Sequence, residues 1–127
     1  MGKELKILSL SFDHQKLQER ESAFLEHGFE VKSVYSPGQA RFEIEMGACG
    51  VFVTCRQVPD IVNRDLIDLF RRYCGDHGVI ILVAEDDSSK SPYEPEADLR
   101  IPESRDPQGI VEALQERLTP ARKARAS

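Results

Sequence analysis

The chain has 127 residues and a formal net charge of −5 at neutral pH. This length suits a single domain with a substantial buried core. Hydrophobic residues make up 40% of the chain and charged residues 31%, and no stretch approaches the roughly 18 apolar residues that a membrane helix needs. Because nucleic-acid binding usually requires a basic surface, the acidic balance disfavours it. We therefore expect neither a membrane nor a nucleic-acid partner.

The cysteines and the amino terminus indicate the compartment. Cys49, Cys55 and Cys74 are an odd number at spacings that match neither a disulfide framework nor a paired CxxC zinc motif, so we expect reduced thiols and no bound metal. The amino terminus has only a short apolar stretch and no small-residue cleavage site, unlike a secretory signal. Both features predict a cytoplasmic location.

The first half of the chain predicts alternating strands and helices. Residues 5–10 form a short apolar run that is typical of a buried strand. Asp13 is a suitable N-cap for a helix over 14–27, which ends before Gly28, and the charged run at 19–21 leaves that helix a narrow apolar stripe. The pattern then predicts a strand over 29–35, a helix from Ser36-Pro37 to 46, and a strand over 50–55.

The second half continues this alternation. A turn around Pro59 leads into a helix that ends near residue 75, and residues 79–84 are apolar enough for a central parallel strand. Residues 85–96 contain two prolines and almost no apolar side chain, which predicts a loop. A short strand over 98–101 and a helix opening at Asp106-Pro107 follow. The basic tail at 120–127 is expected to be disordered.

Strands that alternate with helices in this way predict right-handed βαβ units. The predicted fold class is therefore α/β, a flavodoxin-like doubly wound sheet of five parallel strands in the order 2-1-3-4-5, formed by a domain over residues 1–119. In this topology ligands bind at the carboxyl ends of strands one and three. Residues 11–14 and 54–59 should line that edge.

The strand spacing, Pro59 after the third strand and the Ala97-Asp98 step before the last one together resemble the CheY-like receiver domain of two-component response regulators. The resemblance implies a role for five positions, each occupied here by a different residue type. Ser11 and Phe12 stand at the acidic pair that binds magnesium, Cys55 at the phosphorylated aspartate, Val83 at the hydroxyl that contacts the phosphoryl group, and Glu103 at the lysine.

The same resemblance places Arg100 at the family's aromatic switch residue and Ser104 at the proline that follows the lysine. With every chemical position changed, it implies a pseudo-receiver in two-component signal transduction that is neither phosphorylated nor an enzyme and acts through protein–protein interaction. The candidate partners are a signalling kinase, an output protein and a second copy of the chain. The loop at 85–96 stands where the family has its fourth helix, so we expect that helix to be degraded and a partner to cover this loop together with 99–101.

Cys55 also supports a second function class, a thiol-based redox or nucleophilic site. Arg56 follows it directly, and His14 belongs to the neighbouring strand–helix turn. A cation or imidazole beside a thiol lowers its pKa and makes it reactive. A free cysteine more commonly serves as a small buried hydrophobic residue, so our expectation is ordinary reactivity. No glycine-rich phosphate-binding loop is present, and no cofactor is predicted.

Overall fold

The computed structural model describes residues 6–47, 49–74, 78–85 and 96–118. Within these residues the chain forms five strands, four α-helices and one short 3₁₀-helix. In chain order they are β1 (Lys6–Leu10), α1 (His14–Glu26), β2 (Glu30–Val34), α2 (Pro37–Glu45), β3 (Val51–Cys55), α3 (Asp60–Cys74), β4 (Val79–Ala84), β5 (Leu99–Pro102), the 3₁₀-helix (Glu103–Arg105) and α4 (Gln108–Leu118).

The strands form one sheet in the order β2-β1-β3-β4-β5, and every neighbouring pair is parallel. Helices α1 and α4 contact each other, as do α2 and α3, so each pair covers one face of the sheet. Strands β3 and β4 lie between the two layers and are buried along their whole length. The predicted doubly wound, flavodoxin-like order is confirmed.

Local sequence signals set the ends of the first two helices. The Asp13 carboxylate accepts hydrogen bonds from the backbone N–H groups of Gln15 and Lys16, at 3.0 and 3.2 Å, and so satisfies two free donors at the start of α1. Ser36 caps α2 in the same way. After α1 the chain reverses at Gly28, whose φ of 84° lies in the left-handed region that favours glycine.

The last strand differs from the prediction, because it begins at Leu99 rather than at Asp98. The Asp98 carboxylate accepts a hydrogen bond from the backbone N–H of Ile80 at 2.7 Å and forms an ion pair with Arg71 at 3.7 Å. These side-chain contacts make Asp98 a link between β4 and α3 that precedes the strand. The sequence also gave no indication of the 3₁₀-helix that follows β5. The predictions for 86–95 and 120–127 lie outside the described residues.

Cys49 precedes β3 at the amino-terminal edge of the sheet, where only 1% of its surface is exposed. Burial raises the pKa of its thiol to about 11. Nearby Lys6 opposes this shift, whereas Cys74 and Glu43 add to it. The folded state therefore keeps Cys49 neutral over a pH range in which an exposed thiol ionises.

The raised pKa of Cys49 predicts a loss of stability in alkali. Its contribution is fully present below the pKa of the unfolded thiol, about 8.5, and disappears as the pH rises through about 11. We expect Cys49→Ala to lower the free energy of unfolding at pH 7.5. The difference in free energy of unfolding from wild type should then shrink by roughly 2 kcal/mol at pH 10.5. Urea unfolding at both pH values measures the gap. Parallel pH profiles for the two proteins would contradict the assignment.

Candidate functional site

The candidate site lies at the carboxyl ends of β1, β3 and β4. Cys55 ends β3 and pairs in register with Val83 of β4, and Ser11 directly follows β1. All three side chains are buried. The hydroxyl of Ser11 accepts a hydrogen bond from the backbone N–H of Asp13 at 3.1 Å, which supports the turn into α1. These three predicted positions therefore lie along the edge that the topology favours for ligands.

The side chains at the remaining predicted positions are exposed. Phe12 is 43% exposed, so its side chain is directed largely to solvent. Glu103 belongs to the exposed 3₁₀-helix after β5, and Arg100 is exposed on β5 itself, in register with Leu82. The structure thus brings together Ser11, Cys55 and Val83 but leaves the other three on the surface.

A buried ion pair near this edge joins two residues that the sequence analysis did not select as site candidates. Arg20 of α1 donates hydrogen bonds to the Asp106 carboxylate, from Nε to both oxygens at 3.0 and 3.1 Å and from Nη2 to Oδ2 at 2.8 Å. The two side chains are 3% and 1% exposed. This is a forked, fully desolvated ion pair between α1 and the turn before α4.

The electrostatics of Arg20 reflect its neighbours. Burial alone lowers the pKa of the guanidinium, but the hydrogen bonds and negative charge of Asp106 raise it, and Cys55 adds a smaller contribution in the same direction. The net effect is a pKa above the ordinary arginine value. Arg20 is therefore a permanent cation in this interior, and Asp106 is its hydrogen-bonded partner.

Sequence reasoning placed Arg20 in a charged run that narrows the apolar stripe of α1. The structure adds that Arg20 itself is buried, because the buried residues of α1 are Leu17, Arg20 and Phe24. Their spacing of three and four residues puts all three on one helical face. The signal that could have identified the pair is the cation on the core-facing side of the helix. A buried cation of this kind needs an acidic partner.

The structure also places the two residues that the thiol hypothesis set beside Cys55. Arg56 forms an ion pair with Asp60 at 3.2 Å, and His14 is exposed, with its ring centroid 4.9 Å from that of Tyr35. The hypothesis relied on those two residues as the activating groups. Arg20, from the middle of α1, is a further cation to consider here, since Cys55 contributes to its raised pKa.

A buried amide network fixes the backbone at the end of β3. Thr54 Oγ1 donates to Asn63 Oδ1 at 2.7 Å, and Asn63 Nδ2 donates to the carbonyl oxygens of Cys55 and Val58, at 3.0 and 3.3 Å. Asn63 has no exposed surface. Because each of these contacts satisfies a buried polar group, the turn from β3 into α3 has little freedom to rearrange. The position of Cys55 is thus fixed both by the pairing of β3 with β4 and by the hydrogen bond from Asn63 to its carbonyl oxygen.

Two further findings bear on the kind of site. Among the described residues, no group of three or more histidine, cysteine, aspartate or glutamate side chains is arranged to hold a metal ion. In the same part of the chain, no helix is long and apolar enough to cross a membrane. The described edge consists of a buried thiol, a buried hydroxyl and a buried ion pair.

Comparison with known proteins links this fold to one class. No family model and no curated protein matches the sequence. Among solved structures, a response regulator receiver protein from Sinorhizobium medicae WSM419 matches with a TM-score of 0.72 at 19% identity, over 88% of this chain and 92% of that one. Chemotaxis protein CheY4 of Vibrio cholerae matches with a TM-score of 0.71 at 14% identity, over 87% and 96%.

A third match is the receiver domain of the histidine kinase CKI1 from Arabidopsis thaliana complexed with Mg²⁺, with a TM-score of 0.68 at 14% identity, over 87% of this chain and 94% of that one. In all three the likeness extends over most of both chains. The class defined by the sheet order and the position of the edge site is therefore the doubly wound α/β domain, and its fold is that of the CheY-like response regulator receiver domains.

The buried ion pair predicts strong energetic coupling between Arg20 and Asp106. We expect Arg20→Met and Asp106→Asn each to lower the free energy of unfolding by about 3–5 kcal/mol, because each leaves the other charge buried without its partner. The double variant should lose much less than the sum of the two. Chemical denaturation of the four proteins gives the coupling free energy.

The control is the exposed ion pair between Arg105 and Glu112, whose side chains are 52% and 50% exposed. Arg105→Met and Glu112→Gln should each change stability by less than about 1 kcal/mol, since solvent screens such pairs. If the losses in the Arg20 and Asp106 variants simply add, the two residues are not coupled and the interpretation of the pair is wrong.

Proposed function

We propose that the chain is a receiver-like signalling module that works without phosphorylation and acts through protein–protein interaction. The observation that carries this proposal is the set of side chains at the carboxyl ends of β1 and β3, which are Ser11, Phe12 and Cys55. Magnesium prefers carboxylate and other oxygen ligands, and acyl-phosphate formation needs a carboxylate nucleophile. None of the three residues supplies a carboxylate.

The ion pair adds an electrostatic argument. Phosphoryl transfer depends on cations that stabilise the developing negative charge on the transferred group. Arg20 is the one buried cation among the described residues, and it already uses Nε and Nη2 to bind Asp106. The Asp106 carboxylate balances the charge of Arg20 and repels an incoming anion. This arrangement supports a site that does not accept a phosphoryl group.

If the domain does not accept a phosphoryl group, its function depends on the surfaces that bind other proteins. β5 is an edge strand of the sheet, because it pairs with β4 on one side and with no strand of the sheet on the other. An exposed sheet edge presents unpaired backbone groups that proteins commonly cover or pair. Arg100 is exposed on this strand, next to the partly buried Leu99. These features support β5 as part of the face that meets a kinase, an output protein or a second copy of the chain.

The first test is phosphorylation itself. After incubation with acetyl phosphate and Mg²⁺, we expect the intact mass of the protein to be unchanged, because the edge offers no carboxylate nucleophile at Cys55. A receiver domain that retains its aspartate, treated in parallel, shows that the reagent is active. A gain of one phosphoryl group that disappears in Cys55→Ser would overturn the proposal.

The second test addresses the partner face. Arg100→Glu reverses a charge on the β5 edge, and we expect it to reduce binding of the native partner about tenfold or more, since like charges across an interface are strongly unfavourable. Lys32→Glu is the matched control, because Lys32 is also an exposed cation on an edge strand, β2, at the opposite side of the sheet. Affinity capture from native cytosol identifies the partner, and titration of the purified pair measures binding. Equal losses in both variants would argue against β5.

A further inference from the structure

Strand β2 forms the second edge of the sheet, since its only neighbour among the described strands is β1. The Val34 carbonyl oxygen accepts a hydrogen bond from the backbone N–H of Ser11 at 3.2 Å, so the backbone of Val34 faces β1. Backbone direction alternates along a strand, and the N–H and C=O groups of Val31 and Ser33 therefore point away from the sheet. These outward groups can pair with a further strand.

A groove of about 350 Å³ lies between this edge strand and α2. Val34 of β2 lines it together with Gln39 and Phe42 of α2. Phe42 is a large apolar side chain that is nevertheless 60% exposed. Gln39 Oε1 accepts a hydrogen bond from the backbone N–H of Tyr35 at 3.1 Å, so α2 already supplies the acceptor just beyond the end of β2. A free strand edge beside an apolar groove is the arrangement that receives an added strand in many protein complexes.

The exposed side chains of β2 carry opposite charges on one face. Ser33 Oγ donates a hydrogen bond to Glu21 Oε1 of α1 at 2.7 Å, which places the Ser33 side chain on the α1 face of the sheet. Because successive side chains alternate between faces, Glu30 and Lys32 lie on the α2 face, where both are exposed. Charges of one sign on an edge strand oppose pairing with another chain. Two opposite charges spaced two residues apart can instead complement the same two charges on an antiparallel copy.

We propose that the domain self-associates by antiparallel pairing of β2 with the β2 strand of a second copy, so that two five-stranded sheets become one continuous sheet. A two-fold axis at Val31 brings the two Val31 backbones together as a hydrogen-bonded pair. The same register sets each Glu30 opposite Lys32 of the second copy, which gives two ion pairs across the junction. An axis at Lys32 would set two lysines opposite each other, so the charges select the register centred on Val31.

Pairing in this register also covers apolar surface on both faces of the sheet. Phe42 lines the groove beside β2, so the grooves of the two copies meet on the α2 face of the junction. Val31 packs against the core on the α1 face, where it meets Val31 of the second copy. The interface lies at the opposite edge of the sheet from β5. It therefore goes beyond the proposed function, which places the signalling partner at β5.

The experiment measures the dimer dissociation constant of the full chain by sedimentation velocity over a range of protein concentrations. We expect Glu30→Lys and Lys32→Glu each to raise this constant at least about tenfold, because each turns two ion pairs into two like-charge pairs. The double variant restores both pairs with the charges exchanged, so its constant should lie within about threefold of wild type. Arg64→Glu, which reverses an exposed charge on α3, is the matched control and should leave the constant unchanged.

Hydrogen exchange of the wild type gives a second readout that needs no substitution. The amides of Val31 and Ser33 should exchange more slowly well above the dissociation constant than well below it. A wild type that stays monomeric at every concentration refutes the proposal, and so does a dimer whose constant the double variant fails to restore. Phosphorylation and partner binding at β5 are measured separately, so failure of this inference and failure of the proposed function give different results. Partner titrations below the dimer dissociation constant keep Lys32→Glu a control for β5.

Discussion

The buried ion pair between Arg20 and Asp106 is the interaction on which the arrangement of the site depends. Removing two charges from water costs several kcal/mol per ion, and only a geometry that satisfies the charges with hydrogen bonds offsets that cost. The fork of Arg20 on the Asp106 carboxylate provides such a geometry. Because Asp106 lies in the turn before α4 and Arg20 lies in the middle of α1, the pair joins the two helices that cover one face of the sheet.

The end of β3 lies between this ion pair and the Asn63 network. Cys55 contributes to the raised pKa of Arg20 on α1, and Asn63 of α3 donates a hydrogen bond to the backbone carbonyl of Cys55. Helices α1 and α3 lie on opposite faces of the sheet, so the end of β3 lies between the two helical layers. Such an edge is pre-organised, because the turn from β3 into α3 is held by buried hydrogen bonds that would be lost if it moved.

Much of the fold could be predicted because its signals are local. Asp13 and Ser36 cap their helices, Gly28 reverses the chain after α1, and residues 79–84 form the interior strand β4, each decided by side chains within a few positions of one another. The start of β5 was less predictable. The role of Asp98 depends on a backbone donor in β4 and a cation in α3, and neither is close to it in sequence.

The sequence by itself determined the alternation of strands and helices, hence the parallel sheet and the position of Cys55 at its carboxyl edge, because the periodicity of apolar residues fixes which segments pack and in which conformation. Only the tertiary structure decided which charges meet there. Arg20 and Asp106 are 86 residues apart, and no local pattern encodes their contact. It arises when α1 and α4 pack on the same face of the sheet, since a cation and an acid buried together must pair to compensate for lost hydration.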